Sequence, residues 1–477
     1  MPLKKIIAPK KVGKPVKLEE KEKEEEPEEL KKKVEVPVVV PQPKGRKTPE
    51  LLRGFRDVLA DEQVYWEWLR RAAEDIAESY SFERIEFPIL EKEELFVRTV
   101  GKQTDIVEKE IYSFEDKGGD KVALRPEMTA SAARAYINHG MLNMSQPVKM
   151  FYFGPTFRYD RPQAGRYRQF NQVGFESIGS SEAVIDAQII VMVYNFLKSM
   201  GLETTVRMNS IGTPETRRTY KVELASYYRT KRNQICDDCK RRLVKNPMRL
   251  LDCKMEQCQA VRANAPQILD WLDEESKNHF MRVLEFLDEA GTPYALDPYL
   301  VRGLDYYNRT VFEVWVTGDE GERSQNALGG GGRYDGLIEL LGGREGTPAC
   351  GVALGVERII LAMKELKIQP PAKKIDVFFA QLGDSARRVG LRVFEDFRQS
   401  GISVREAFGK GSLKAQLEIA NKLNVPYTLI LGQKEVLDGT IIVRDMESGA
   451  QEIVDAGKIV QIMRKKLEVV KTLDIPA

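Results

Sequence analysis

The chain has 477 residues, 42% of them hydrophobic, with 74 Lys and Arg against 72 Asp and Glu for a net charge of +2. That length exceeds one ordinary domain and predicts two or three, and near-balanced charge excludes a globally basic fold, so a polyanionic partner has to be met by local basic surface. No apolar run reaches the roughly 18 residues of a membrane span, and the glutamate-rich N-terminus matches neither a signal nor a transit peptide, which predicts a cytoplasmic protein with no membrane partner.

Residues 1–48 hold 13 Lys, 1 Arg and 9 Glu, broken by prolines and without an aromatic residue. Such a segment buries too little apolar surface to offset its ordering entropy, and it is expected as a disordered charged extension. Glu62 to Tyr80 then places Tyr65, Leu69, Ala72, Ala73 and Ile76 at helical spacing. Glu83 to Leu90 reads as a strand carrying Pro88, and Lys121 to Arg125 as a short strand stopped by Pro126. Thr129 stands where its side chain would cap a helix running to Asn138, with Gly140 as the stop. Lys149 to Arg158 and Arg168 to Ile178, joined by a polar loop with Pro162 and Gly165, read as a long antiparallel hairpin. On its second strand Arg168, Phe170, Gln172, Gly174 and Glu176 share one face.

Residues 211–293 change to Lys-, Arg- and Glu-rich helical texture and are expected as a helical insertion. Strand texture returns from Tyr299 to Val316. The glycines at 329–332 fit a flexible turn and lack the Lys-Ser/Thr of a P-loop. Leu337 to Leu341 reads as a short helix, and Gly351 to Gly355 as a strand feeding a helix from Val356 to Leu366. After Pro370 and Pro371, a β-α-β-α-β alternation through Leu431, a strand at Thr440 to Arg444 and a last helix predict an α/β domain over 374–477.

Four segments concentrate Arg, Glu, Gln and Tyr at strand ends and turns: Leu124 to Thr129, Phe157 to Glu176, Leu300 to Arg309 and Gly355 to Arg358. A lone arginine on a hairpin is ordinarily a surface ion pair. Arginines gathered at several strand ends suit phosphate, which guanidinium grips in a two-point fork, and Arg358 falls in a first helical turn, where backbone N–H groups also favour an anion.

The hairpin of Phe157 to Glu176 followed by Gly355 to Arg358 opening a helix resembles motifs 2 and 3 of the class II aminoacyl-tRNA synthetases, and the strand around Pro88 resembles motif 1. Arg161 to Phe170, Val301 to Thr310 and Gly331 to Leu337 resemble the histidyl-tRNA synthetases specifically, and the likeness spans roughly residues 50 to 475. The resemblance implies an α+β catalytic domain on an antiparallel sheet over 49–368, interrupted by the helical insertion, and a C-terminal α/β anticodon-binding domain. It implies a homodimer that activates L-histidine with ATP and Mg²⁺ and transfers it to the 3′ end of tRNA(His). Residue by residue it assigns Arg158, Arg166 and Arg358 to ATP, and Arg302 to the α-phosphate and the substrate carboxylate, with Arg158 and Arg302 carrying the catalysis. Glu127, Thr129 and Gln172 fall to the α-amino group, Glu176, Tyr307 and Tyr334 to the imidazole, and Arg161 and Gln163 to the tRNA acceptor end. Asp160 and Asn171 depart from the family, which usually has Glu and often His there; both lie off the Gln172 and Glu176 face.

The chemistry agrees with this reading. A carboxylate nucleophile is ionised at pH 7, so attack on a phosphate needs positioning and charge stabilisation rather than a general base. The chain has only two histidines, His139 and His279, and neither falls in the four segments. A catalytically silent relative, regulatory or tRNA-sensing, is the competing expectation; it would lose the phosphate-binding arginines, and Arg158, Arg302 and Arg358 are all present. Separately, four of the five cysteines, Cys236, Cys239, Cys253 and Cys258, fall within a span of 23 residues. Structural zinc and ordinary buried thiols both fit that spacing.

Overall fold

Short strands open the fold: β1 (Glu83–Arg84), β2 (Leu90–Lys92), β3 (Tyr112–Glu115) and β4 (Lys121–Leu124). The predicted hairpin follows as β5 (Val148–Phe157) and β6 (Gln169–Ile178), in register from Val148 opposite Ile178 to Phe157 opposite Gln169. Then come β7 (Thr204–Ser210), β8 (Tyr294–Leu296), β9 (Asn308–Val316), β10 (Ala327–Arg333) and β11 (Ala349–Gly355). The eight-stranded main sheet runs β1-β5-β6-β11-β10-β9-β7-β8, antiparallel but for the parallel pairs β1–β5 and β7–β8. β2, β4 and β3 form a side sheet. This computed structural model describes residues 48–101, 104, 106–163, 165–317, 327–371, 374–409 and 411–473. The charged extension expected over 1–48 lies outside them but for Thr48. The chain divides into Met1–Leu51, described only from Thr48 to Leu51, exposed and without regular structure, and Leu52–Ala477, which carries everything below.

Period-two alternation gives the main sheet its two faces. On β6, Val173 and Phe175 enter a core with Tyr65 and Leu69, Ile189 and Val193, and Ile359 and Ile360, from the helices Ala60–Ser79, Ala183–Ser199 and Val356–Glu365. Gln172, Gly174 and Glu176 therefore look the other way. The helix Glu274–Glu289, inside the stretch expected as an insertion, sends Phe280, Val283 and Leu287 into that same core. The other helices of the stretch, Pro214–Thr230, Asp237–Lys245 and Glu256–Arg262, build a second core on the opposite face with Tyr220, Leu224 and Leu251.

The C-terminal part forms a five-stranded sheet from β12 (Val377–Gln381), β13 (Val404–Glu406), β14 (Tyr427–Leu431), β15 (Thr440–Asp445) and β16 (Gln451–Asp455), in the order β13-β12-β14-β15-β16. Val377 and Phe379 pack with Val393, Phe397 and Met463 on one face, while Phe378 and Ala380 pack with Ala420 and Val425 on the other. The predicted alternation of strands and helices is observed, with β16 and the helix Gln433–Asp438 in addition.

Other expectations are corrected. Glu83 to Leu90 is not one strand: β1 ends at Arg84 and β2 begins at Leu90 in a different sheet, because Pro88 has no N–H to give a ladder. Tyr299 to Tyr307 is not strand either; Asn209 Nδ2 donates to Pro298 O at 3.2 Å and Leu300 O at 3.0 Å, replacing a ladder with side-chain bonds. Most informatively, the glycines at 329–332 form the middle of β10, between β9 and β11. A Cβ at Gly331 would sit 2.0 Å from Gly351 O, and one at Gly330 would sit 2.4 Å from Phe312 O.

β10 is locked to its covering helix by a buried ion pair. Arg333 and Asp186 side chains are both fully buried, and Arg333 Nε lies 3.2 Å from each Asp186 carboxylate oxygen. Arg333 Nη1 also donates to Ser180 O and Asp335 Oδ1, each at 3.1 Å. Removing one partner of such a pair strands a charge without water. Asp186→Asn is expected to cost about 3 kcal/mol of unfolding free energy, measured by urea denaturation. A loss below about 1 kcal/mol would show that Asp335 and the carbonyls suffice.

Candidate active site

Above the polar face of β6 lies a cleft of about 490 Å³, walled by β6, the ends of β10 and β11, the hairpin loop and the loop before β9. Eight of the residues singled out in the sequence line it together: Glu127, Thr129, Arg158, Arg166, Gln172, Arg302, Tyr307 and Arg358. Neither histidine does.

Each side chain is placed by local backbone. Arg158 leaves the end of β5, where its Nε donates to Pro126 O at 2.8 Å and its guanidinium lies 5.5 Å from the Phe170 ring centroid. Arg358 sits in the first turn of the helix Val356–Glu365, which follows β11 with no intervening loop, and its Nη1 donates to Ala327 O at 2.8 Å. Arg302, in the loop before β9, donates from Nη1 to Glu313 Oε1 at 2.6 Å. Its guanidinium rests against Gly330, where a Cβ would come within 2.7 Å of Nη1. Arg302 Nε and Gln172 Oε1 are buried with no hydrogen-bond partner among the described residues. Polar atoms buried in that way at a cleft wall are suited to a ligand.

Thr129 corrects an expectation. It is the first residue of the helix Thr129–Asn138, not its cap. The N-cap position is Met128, and Glu127 just before it accepts from Thr129 N at 2.7 Å and Ala130 N at 2.9 Å with its carboxylate. The Thr129 hydroxyl is thereby freed to donate to Glu176 Oε1 at 2.7 Å.

Glu176 itself is fully buried and lies one layer beneath the cleft wall. Its carboxylate also accepts from Tyr152 Oη at 2.8 Å and, in a short bond, from Tyr334 Oη. Glycines make the room: a Cβ at Gly351 would lie 1.6 Å from Glu176 Oε2, and one at Gly174 would lie 2.3 Å from the Tyr152 ring. Burial pushes the Glu176 carboxyl up to about 8, with the hydroxyls from Tyr334, Thr129 and Tyr152 opposing the shift and Glu127 adding to it. Burial likewise raises Glu127, and it takes the Tyr307 phenol up to about 12.

The arginines respond to burial and to one another. Arg358 is lowered to about 10 by burial first and then by Arg166 and Arg158, while burial also lowers Arg158. Arg302 is raised in spite of burial, because Glu313 is bonded to it.

The remaining candidates fall elsewhere. Tyr334 is buried beside Glu176, behind the cleft. Arg161 and Gln163 are exposed on the hairpin loop, where Gln163 and Arg166 form an isolated bridge. Asp160 does line the cleft and pairs with Arg166 at 3.2 Å, while Asn171, turned away from Gln172, donates from N and Nδ2 to Glu357. The four cysteine thiols of the helical stretch converge well away from these residues in the chain. Sequence reasoning missed Tyr152 and Glu313. Both were accessible to strand periodicity: β5 places Tyr152 opposite Gly174, and β9 places Glu313 opposite Gly330.

A family model described as histidyl-tRNA synthetase matches residues 54–359, and one described as an anticodon binding domain matches residues 376–466. The chain belongs to the histidyl-tRNA synthetase family. It is 45% identical over 417 residues to a histidine–tRNA ligase of Dehalococcoides mccartyi, covering 87% of this chain and 99% of that one. The crystal structure of the apo histidyl-tRNA synthetase of S. aureus superposes with a TM-score of 0.73 at 34% identity, over 87% of this chain and all of that one. A Bacillus halodurans chain titled an ATP phosphoribosyltransferase regulatory subunit/histidyl-tRNA synthetase shares the fold, at 20% identity and a TM-score of 0.58 over 81% of this chain and 99% of that one. Among the described residues no helix is long and apolar enough to cross a membrane.

The Glu176 shift has a defined sign. A carboxyl raised by folding contributes stability in full below its ordinary 4.5 and loses it as pH climbs through about 8. Unfolding free energy of the wild type is therefore expected to fall, relative to Glu176→Gln, between about pH 4.5 and 8. Parallel stability curves across that window would show that Glu176 already carries its charge when folded.

Proposed function

We propose that this cleft activates L-histidine with ATP, forming histidyl-adenylate and pyrophosphate, and then hands histidine to the 3′ end of tRNA(His). The observation that supports it is the convergence of Arg158, Arg302 and Arg358 with Glu127, Thr129 and Gln172 in a single cleft, over a buried carboxylate and its hydroxyls. Arg158, Arg166 and Arg358 take the phosphates of ATP. Arg302 bridges the α-phosphate and the amino-acid carboxylate, so the charge that develops in the transition state meets donors already in place. Glu127, Thr129 and Gln172 take the α-amino group. Tyr307 meets the imidazole directly; Glu176 and Tyr334 act from behind, by fixing the hydroxyls at that end of the cleft. A site that hydrogen-bonds both ring nitrogens rejects analogues lacking them by about 10⁴–10⁵.

Magnesium fits this cleft as an ion carried chiefly by the substrate's phosphates. Glu313 and Glu357 border the cleft beside Arg358 and would supply carboxylate oxygens to it. When bound, Mg²⁺ neutralises charge on the phosphates. No protein base is needed for adenylate formation, and a phosphate oxygen of the adenylate accepts the proton of the tRNA hydroxyl in the transfer step.

In the same reading, residues 49–368 form the catalytic domain with the 211–293 stretch inserted, and 374–477 contact the anticodon. Arg161 and Gln163 are exposed where an acceptor end would arrive. The catalytic domain works as a cytoplasmic homodimer joined near Pro88. The silent alternative is disfavoured because the phosphate-directed arginines not only persist but share one cleft.

ATP–pyrophosphate exchange, run with each amino acid in turn, is expected to proceed with histidine alone; no exchange with histidine would sink the reading. Arg302→Ala should slow that exchange about 10²–10³-fold with an unchanged circular dichroism spectrum and melting temperature. Should Arg302→Ala and Arg302→Lys both unfold the protein instead, Arg302 is structural and its assigned role is wrong.

A further inference from the structure

The four clustered cysteines form a site that the proposed reaction does not use. Cys236 precedes the helix Asp237–Lys245 and Cys239 lies in its first turn; Cys253 follows the turn Pro247–Leu250, and Cys258 lies in the helix Glu256–Arg262. These pieces share no strand and no long helix, yet their four sulfurs all lie within 4.8 Å of one another. Cys236 Sγ and Cys253 Sγ are 3.8 Å apart. The edge of a tetrahedron with Zn–S bonds of about 2.3 Å is roughly 3.8 Å. Cys239, Cys253 and Cys258 are buried, and Cys236 half-buried, so the cluster is nearly closed to water.

A backbone donor already reaches one of these sulfurs. Cys236 N donates to Cys258 Sγ at 3.2 Å. Such N–H···S bonds support thiolates around a metal. Cys350 supplies an internal contrast. It is the fifth cysteine, buried alone on β11 in the main core, as a thiol used only for packing would be. Packing alone does not require four thiols from separate turns to face each other.

We propose that Cys236, Cys239, Cys253 and Cys258 bind one structural Zn²⁺ as four thiolates, and that this knot holds Arg242 and Arg249 at the wall of the ATP cleft. Four protein ligands leave no open position, which makes the site structural and not catalytic. Binding releases the thiol protons to solvent. Arg242 lies three residues past Cys239, and Arg249 falls between the two cysteine pairs; both line the cleft. Arg242 Nη1 donates to Arg249 O at 3.5 Å, and Arg249 Nη1 pairs with Asp252 at 3.3 Å, next to Cys253. The metal thus orders a segment that has little regular structure between Asn246 and Met255. Only the clause about the ATP cleft rests on the proposed function; the metal site stands on the sulfur geometry.

The test uses the full chain purified under reducing conditions without chelator. Elemental analysis should find about one zinc per chain. Replacement with Co²⁺ should produce the near-ultraviolet thiolate-to-cobalt band and the visible bands of a tetrahedral ion. Stripping zinc with a mercurial and a chelator should expose the 236–258 segment to protease, and restoring zinc should protect it again. Less than about a tenth of an equivalent of zinc, with no cobalt–thiolate spectrum on the reduced chain, overturns the proposal. So does zinc retained at full stoichiometry by a folded Cys253→Ser/Cys258→Ser variant. If that variant fails to fold, the cobalt spectrum of the unaltered chain decides. Metal present but with no change in protease sensitivity on stripping overturns the positioning clause alone, and none of these outcomes depends on whether histidine is the substrate.

Discussion

Burying the Glu176 carboxylate takes it from water on every side, and a group of that kind costs several kcal/mol unless other donors replace the lost hydration. Thr129, Tyr152 and Tyr334 supply them from three separate places: the start of a helix, the middle of β5 and the residue just after β10. Each can reach only because something small stands aside. Gly351 and Gly174 leave the volume that Glu176 and the Tyr152 ring fill. A slip of one residue in β6 would point Glu176 into the apolar core and Phe175 into the cleft. One carboxylate therefore ties the register of the hairpin, the glycine strand and the helix of Thr129 together.

The arginines impose a second condition on the same face. Arg358 loses part of its affinity for its proton first to burial and then to its neighbours Arg166 and Arg158, so positive charge is gathered on this face. Glu313 offsets Arg302 but is bonded to that residue. Backbone carbonyls help hold these cations in place, Pro126 O for Arg158 and Ala327 O for Arg358. In the function proposed above, an entering polyanion relieves them. This is preorganised electrostatics, in which the cost of assembling the charges is met at folding rather than at the moment of reaction. On the proposed function a cleft without a histidine suffices, because the reaction asks it to hold charge and not to move a proton.

Much of this was legible in the sequence where one periodicity dominates. Alternation on β6 predicted that Gln172 and Glu176 share a face, and helical spacing predicted a helix over Glu62 to Tyr80, observed as Ala60–Ser79. The failures share a cause: residues whose local preference is overruled by what lies across from them. Four consecutive glycines look like a turn in isolation, yet β10 needs them because neighbouring carbonyl oxygens occupy the Cβ positions. Thr129 looks like a cap, yet the helix starts at Thr129 itself, Glu127 two residues earlier accepts from its first two N–H groups, and a buried carboxylate claims the hydroxyl. The helix Glu274–Glu289 has the charged texture of its surroundings on one side only; Phe280, Val283 and Leu287 assign it to the main core. Pairing partners distant in sequence, such as Arg333 with Asp186, carry no local signal at all.

The fold by itself does not separate a charging enzyme from a regulatory relative, because the Bacillus halodurans chain with a regulatory title shares it at 20% identity. What separates them has to lie in side chains that serve no packing purpose. Arg302 is the clearest of these. It lines the cleft from an irregular loop, its Nε has no partner among the described residues, and Gly330 gives up a side chain beside its guanidinium. A fold under selection for stability alone would fill that space with an apolar group, since a buried ion pair is often no more stable than well-packed hydrophobic residues. Keeping a glycine, a buried guanidinium and an unmatched N–H in one place makes sense only if a ligand completes them.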